Sequence, residues 1–369
     1  MNTKTKPNLR QFTPLKLLNH WDFINETVNG NTLPPITCEI DLSNNCNHNC
    51  HWCTYGDTRA NQIMPKDIFS SLIDEIAELG VKAVLLNGGG EPTTHPNFKE
   101  ALYKLKEKGM EIGIISNGGL LNMDLIEAIA ETSLYIRISL DAATDETHKK
   151  IHAPKNPNRD NLGNILSNIK SLVLLRNEKG TDLEVGVGYL VSRDNYKEIL
   201  EAAKLVKNTG ADYIQIRPAI DYANSTPKKQ CTNVGSTHQF SDSVLFEIRK
   251  QVEEARNLEN SGFKVIALLD RFNEVINRGR DYNKCWAHCV AGIIGADCKV
   301  YLCCQHKFNP NYCIGDLRKN TFKEIWNDDK RQEIINKLNV HTCPPCKNDG
   351  HNKIFDYLAD KERKHKNFL

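Results

Sequence analysis

The chain has 369 residues, 40% of them hydrophobic and 25% charged, with a formal net charge of +2. That is the make-up of a soluble globular protein of one large domain, or a large one plus a small one. Such balanced charge excludes a global basic field for nucleic acid, no apolar run approaches a membrane span, and the polar residues 1–10 lack the apolar core of a secretory signal.

Residues 1–35 read as a lead-in with a short amphipathic helix over 15–28, stopped by Pro34-Pro35. They leave no room for a separate peptide-binding domain ahead of the first strand. From residue 36 strand and helix patterns alternate. Strands are expected at 36–42, 81–86, 112–116, 134–140, 183–191 and 213–217, and helices over 65–79, 97–108, 124–131, 164–176 and 196–207. Gly80, Gly109, Gly180 and Gly210 act as helix stop signals. Apolar strands separated by helices imply parallel pairing with right-handed crossovers. Such a sheet curls into a barrel or lies open, and pattern alone leaves both. In either case reactive groups belong at the strand C-terminal ends. Residues 221–241 read as a polar surface loop, with a lid as the alternative; 243–258 resumes helical spacing, and 263–269 reads as a further strand.

Thirteen cysteines fall in two groups with only Cys231 between them. That clustering favours metal sites in a reducing cytoplasm over a disulfide framework. A domain boundary is drawn at Lys284, where composition turns cysteine-rich, giving a lead-in (1–35), a core (36–283) and a C-terminal unit (284–369). In the last, 293–296 and 299–303 read as a hairpin about Asp297-Cys298, 321–338 reads as a helix, and the basic run 361–366 as a solvated helix end.

Cys46, Cys50 and Cys53 form a CxxxCxxC run after the first strand. Three thiolates can hold three irons of a cubic iron–sulfur cluster, and with no fourth cysteine close by one iron stays open to a small molecule. A zinc knuckle is the alternative. His48 and His51, beside this loop, read as surface residues. Gly88-Gly89-Gly90-Glu91-Pro92 closes the second strand, where glycines let a ligand approach the backbone. Ser116-Asn117-Gly118 and Ser139-Leu140-Asp141 end the third and fourth, with groups suited to ribose hydroxyls or to helix capping. Arg217 ends the sixth, where its planar fork suits a carboxylate or a structural ion pair.

These motifs resemble those of the radical S-adenosylmethionine (SAM) superfamily. The resemblance implies a partial (β/α)6 TIM-like barrel of parallel strands with a small C-terminal α+β iron–sulfur domain. It implies a 4Fe–4S cluster on Cys46, Cys50 and Cys53 whose open iron chelates SAM, and reductive cleavage of SAM to a 5′-deoxyadenosyl radical. It places Trp52 at adenine, Gly89, Gly90 and Glu91 at the SAM ammonium, and Asn117, Ser139, Asp141 and Arg217 around the cofactor. The second cysteine group resembles the twitch domain, a shortened relative of the SPASM domain. By that match Cys285, Cys303, Cys343 and Cys346 hold an auxiliary 4Fe–4S cluster, with Cys304 as rival to Cys303 because adjacent strand residues face opposite sides. A structural zinc site is the alternative. No cysteine follows Cys346, so a second auxiliary cluster lacks its usual ligands. Cys289, Cys298, Cys304 and Cys313 are unassigned, either a further metal site or spare thiols, with Cys289 and Cys313 as candidate hydrogen-atom donors.

The implied activity is hydrogen-atom abstraction from a sugar-like small molecule, as in the aminocyclitol dehydrogenases, with the auxiliary cluster accepting an electron. An external one-electron reductant such as flavodoxin or ferredoxin would supply the first cluster. A peptide-modifying maturase and a radical epimerase are the alternatives. A two-cluster electron carrier is the non-enzyme reading, and it leaves the motifs around Gly89, Ser139 and Asp141 without a purpose.

Overall fold

The computed structural model describes residues 12–56, 60–219, 240–269, 272, 280–344 and 346–365; Cys231 and nearly all of the polar stretch 221–241 lie outside them. Seven strands follow one another in sequence order, all parallel. They are β1 (Thr37–Asp41), β2 (Ala83–Asn87), β3 (Glu111–Ser116), β4 (Tyr135–Ser139), β5 (Glu184–Val191), β6 (Tyr213–Pro218) and β7 (Lys264–Ala267). Helices α1 (Trp21–Val28), α2 (Lys66–Glu78), α3 (Phe98–Glu107), α4 (Met123–Thr132), α5 (Asp145–His152), α6 (Leu162–Lys179), α7 (Ile199–Thr209) and α8 (Asp242–Arg256) precede and connect them. The six expected strands are present, and the further one is β7.

On the far side of β1 lies β8 (Ala291–Ile294), also parallel, followed by antiparallel β9 (Lys299–Tyr301) and β10 (Cys313–Asp316). The partial barrel of the radical SAM type and the C-terminal antiparallel strands therefore share one sheet. Among the described residues the remaining helices are α9 (Ala287–Val290), α10 (Phe322–Asn327), α11 (Asp329–Lys337) and α12 (Asp349–Ala359).

Strand alternation divides the sheet into two faces. Cys38, Ile40, Val84, Leu86, Ile112, Ile114, Ile136, Ile138, Val185, Val187, Ile214 and Ile216 are buried in the main core, which also takes in Val300, Ile314, Phe322 and Trp326 of the C-terminal unit. The other parity carries the charged and phenolic side chains, with glycines between them. Register aligns Glu39, Leu85, Gly113, Tyr135 and Glu184 in one row, and Arg137, Gly186, Tyr213 and Lys264 in the next. Glycine is required in both rows: a Cβ at Gly113 would lie 2.5 Å from the Tyr135 ring, and one at Gly186 2.0 Å from the Tyr213 ring.

Four local features differ from the sequence reading. Helix α5 is not marked by apolar periodicity; it starts because Thr144 caps Thr147 N–H and acidic residues fill its first turn. The stretch 321–338 is two helices, since Asp328 takes extended backbone and caps the second one. The second hairpin strand stops at Tyr301, and Cys303 instead caps a short 3-10 turn at Cys304–His306. The basic run begins beyond the end of α12.

Candidate functional site: two cysteine centres joined through the barrel mouth

The loop carrying Cys46, Cys50 and Cys53 leaves β1 and is clamped to the end of α5. Asn49 N–H donates to His152 O (3.0 Å), His51 N–H to Ile151 O (3.0 Å) and Lys155 N–H to Asn47 O (2.8 Å). The Cys46 sulfur accepts from His48 N–H at 3.4 Å, and Asn117 Nδ2 approaches it at 3.9 Å. Cys50 Sγ lies 3.3 Å from His152 Nδ1.

Against this loop stands the glycine turn after β2. Gly90 N–H donates to Ser43 O (3.2 Å) and Glu91 N–H to Asn45 O (2.7 Å). A Cβ at Gly90 would fall 2.0 Å from Asn45 O, and one at Gly89 2.3 Å from Asn44 Oδ1 and 2.9 Å from the Phe308 ring. Only glycine permits this approach. Glu91 is buried and fully engaged: its carboxylate accepts from Thr93 Oγ1 (2.7 Å), Ser116 Oγ (2.7 Å) and Asn117 N–H (2.7 Å). Burial nonetheless pushes its carboxyl above the ordinary range. Glu91 thus welds the end of β2 to that of β3, and the turn offers ligands its backbone.

Asn117 joins this group, with Nδ2 donating to Asn47 Oδ1 at 2.8 Å. Ser139 is half-buried at the end of β4. Asp141 is buried; its Oδ1 accepts from Leu190 N–H at 2.6 Å and its main-chain carbonyl from Asn195 Nδ2 at 2.8 Å. Burial, only partly offset by that N–H and by Arg217 and Arg137, raises its carboxyl to about 7. Trp52 and Arg217 are half-buried, and Arg217 is near enough to act on Asp141 electrostatically.

His48 corrects the sequence reading. His51 is exposed as expected, but His48 is buried, because its ring turns inward onto Asp160 at 2.8 Å.

The segment after the C-terminal hairpin enters the barrel mouth. Lys307 Nζ lies 2.5 Å from Asp41 Oδ2, with both side chains out of solvent. Gly89 N–H donates to the same oxygen at 2.9 Å. Burial pushes the Asp41 carboxyl up, and Lys307 and Gly89 pull it back only in part. Lys347 pairs with Glu39 at 2.5 Å. Tyr55, just past Cys53, donates to Cys304 O at 2.9 Å, with Lys307 Nζ 4.4 Å from its ring. Sequence reasoning missed Glu39, Asp41, Tyr55, Lys307 and Lys347; for Glu39 and Asp41 the alternating charges on apolar β1 were the visible trace.

In the C-terminal unit, Cys285, Cys343 and Cys346 are close enough for charge on Cys285 to act on the other two, and Cys303 responds to Cys346. Burial pushes Cys285 and Cys343 up and Cys346 to about 12. Metal uptake there would therefore release protons. Cys304, the rival of Cys303, is buried beside Lys347, Glu39 and Lys307, toward the barrel. The unassigned cysteines have different neighbours. Cys289 faces His288 and Arg331, Cys298 faces Arg318 and Asp316, and Cys313 lies on β10 opposite Tyr301.

The donor sets fit iron–sulfur clusters better than zinc. Among the described residues, the groups of three ligand atoms lying within 4.8 Å of one another each contain His48, and neither holds more than one cysteine. Tetrahedral zinc at about 2.3 Å from sulfur needs thiolates about 3.8 Å apart. A cubic cluster places each sulfur on its own iron and holds them wider.

Comparison with known proteins agrees with this geometry. Residues 40–206 match the radical SAM superfamily model, and 285–348 match SPASM, an iron–sulfur cluster-binding domain. The chain is 30% identical over 184 residues to the tungsten-containing aldehyde ferredoxin oxidoreductase cofactor-modifying protein of Pyrococcus furiosus, covering 47% of this chain and 48% of that one. It thus spans about half the length of that relative. It is 24% identical over 339 residues to Fe-coproporphyrin III synthase of Methanosarcina barkeri, covering 83% and 79%. The fold matches Streptococcus suis SuiB bound to S-adenosylmethionine with a TM-score of 0.63 at 16% identity, over 86% of this chain and 72% of SuiB. Among the described residues no helix is long and apolar enough to cross a membrane. The chain belongs to the radical SAM superfamily and carries a C-terminal SPASM iron–sulfur domain, with SAM, a SAM-binding 4Fe–4S cluster and auxiliary iron–sulfur chemistry as its cofactors.

Proposed function

We propose that this protein oxidises a small polar molecule by two electrons, starting with removal of a hydrogen atom from carbon. The observation that carries the reading is the meeting, at the C-terminal ends of β1 to β3, of the cysteine loop, the Gly88–Gly90 turn and Asn117. When bound, the cluster and SAM supply a 5′-deoxyadenosyl radical, and the auxiliary centre takes up the second electron. Cys46, Cys50 and Cys53 are the ligands assigned to the first centre, and Cys285, Cys303, Cys343 and Cys346 to the second. Backbone groups of Gly89 and Gly90 orient the methionyl end. Glu91 holds the two strand ends at fixed separation, and Trp52, Ser139, Asp141 and Arg217 border the nucleoside side. An external one-electron reductant of the flavodoxin or ferredoxin kind completes the system. The functional unit comprises the core to residue 283 and the iron–sulfur unit from 284.

Support for a small substrate comes from the polar inner rows of the barrel, where Arg137 donates to Gln215 at 3.1 Å, and from the relative that makes Fe-coproporphyrin III. SuiB has been solved with its precursor peptide SuiA, but that likeness is one of fold, and a peptide substrate is the competing outcome. The test is anaerobic reconstitution with SAM and dithionite. Release of 5′-deoxyadenosine and about eight irons per chain are expected; about four irons, or intact SAM, would reject the reading. Deuterium gained by product carbon from heavy water would point to epimerisation instead, with Cys289 or Cys313 as donor.

A further inference from the structure

We propose that His48, His148 and Asp160 form a site for a single divalent transition ion of the zinc class, separate from both iron–sulfur centres. Their ligand atoms lie within 4.8 Å of one another, and all three residues are buried. They come from three segments: His48 from the cluster loop, His148 from α5 and Asp160 from the turn before α6. No cysteine is needed, so the site stands whether or not the functional reading above holds.

The hydrogen bonding leaves His48 Nδ1 and Asp160 Oδ1 unused, and an ion would take the place of the direct His48 Nε2–Asp160 Oδ2 contact. His148 is 0% exposed and neither of its ring nitrogens meets hydrogen-bond geometry, although the Asp160 main chain lies close enough to act on the ring. Bare polar groups in an interior site are costly and call for a partner. Asp160 Oδ2 accepts from Asn47 Nδ2 at 2.5 Å and faces His48 Nε2 at 2.8 Å, while Oδ1 has no partner. Space for this carboxylate is provided by Gly119, where a Cβ would fall 2.1 Å from Oδ1. The neighbouring His152 is already engaged, with Nε2 on Leu140 O at 3.0 Å and Nδ1 toward Cys50. It therefore stays outside the proposed ligand set.

Two imidazoles and one carboxylate are borderline donors that suit zinc and its neighbours. One negative charge against a dication leaves a net positive centre beside the cluster loop. Asn47 would serve as the outer hydrogen-bond donor that fixes the ligating carboxylate. An ion here would tie the cluster loop to α5 and to the start of α6.

The test uses full-length protein carrying its reconstituted iron. Zinc is counted against iron, and Co2+ is titrated as the spectroscopic probe. One Co2+ per chain is expected, with ligand-field bands of a nitrogen–oxygen site. His148→Ala and Asp160→Asn should each weaken Co2+ binding at least about tenfold while iron content stays unchanged, and added Zn2+ should raise Tm only in the unsubstituted protein. His148→Gln gives a readout should the alanine variant misfold. Absence of Co2+ uptake, sulfur-to-cobalt charge-transfer bands, or uptake unaltered in these variants would overturn the site. Separate measurement of 5′-deoxyadenosine keeps that outcome distinct from failure of the radical reading.

Discussion

Asp141 adopts a left-handed φ of 52° while its buried carboxyl takes Leu190 N–H. Burial, outweighing that N–H, makes its ionisation oppose folding. With the ordinary value at 3.8 and the folded one raised to about 7, its contribution to stability is fully present below about pH 4 and lost as pH rises through about 7. Asp141→Asn keeps a residue at ease in left-handed backbone and should flatten this dependence, gaining a few kcal/mol over the unsubstituted protein at about pH 8; urea midpoints across that range check it. Lys307 poses the opposite case. Lys307→Met strands the Asp41 carboxylate without its cation and should cost about 3–5 kcal/mol, most of it recovered by adding Asp41→Asn. A double-mutant cycle in denaturant measures the coupling, and equal losses in the single and double variants would show that the pair does not act as one.

The hairpin between β8 and β9 turns at Cys298, whose φ is 62°. Cys298 N–H donates to Gly295 O at 2.9 Å, a turn that favours glycine at this place. Cys298→Gly should be close to neutral, relief of left-handed strain offsetting the lost buried thiol, whereas Cys298→Val should cost about 2 kcal/mol or more. Both should keep full iron content, since Cys298 sits with Arg318 and Asp316 rather than at either cysteine centre. Elements of this kind mark the boundary of what could be read in advance. The parallel strands and the turn at Gly88–Gly90 were legible because apolar runs and glycines have direct backbone meaning. Helix α5 was not, as its signal is a Thr144 cap rather than an apolar stripe. Nor was the burial of His48, or the pairing of Asp41 with Lys307 across 266 residues (307 − 41), because a side chain's partner depends on tertiary contacts that no local pattern encodes.

At the scale of the molecule, one sheet and one core run through both cysteine-rich regions. A chain ended at residue 283 would expose the β1 edge and remove Val300, Ile314, Phe322 and Trp326 from that core. Such a fragment should show no cooperative thermal unfolding; a sharp transition in calorimetry would prove the barrel self-sufficient. Tyr55 adds a subtler consequence. It stands two residues past Cys53, yet its hydroxyl rests on the carbonyl of Cys304, beside Cys303. The loop past Cys53 and the turn at Cys304 are thus tied through one hydroxyl, so Tyr55→Phe should lower iron retention in both regions together; loss confined to one of them, read by iron counting, would show that the tie carries nothing.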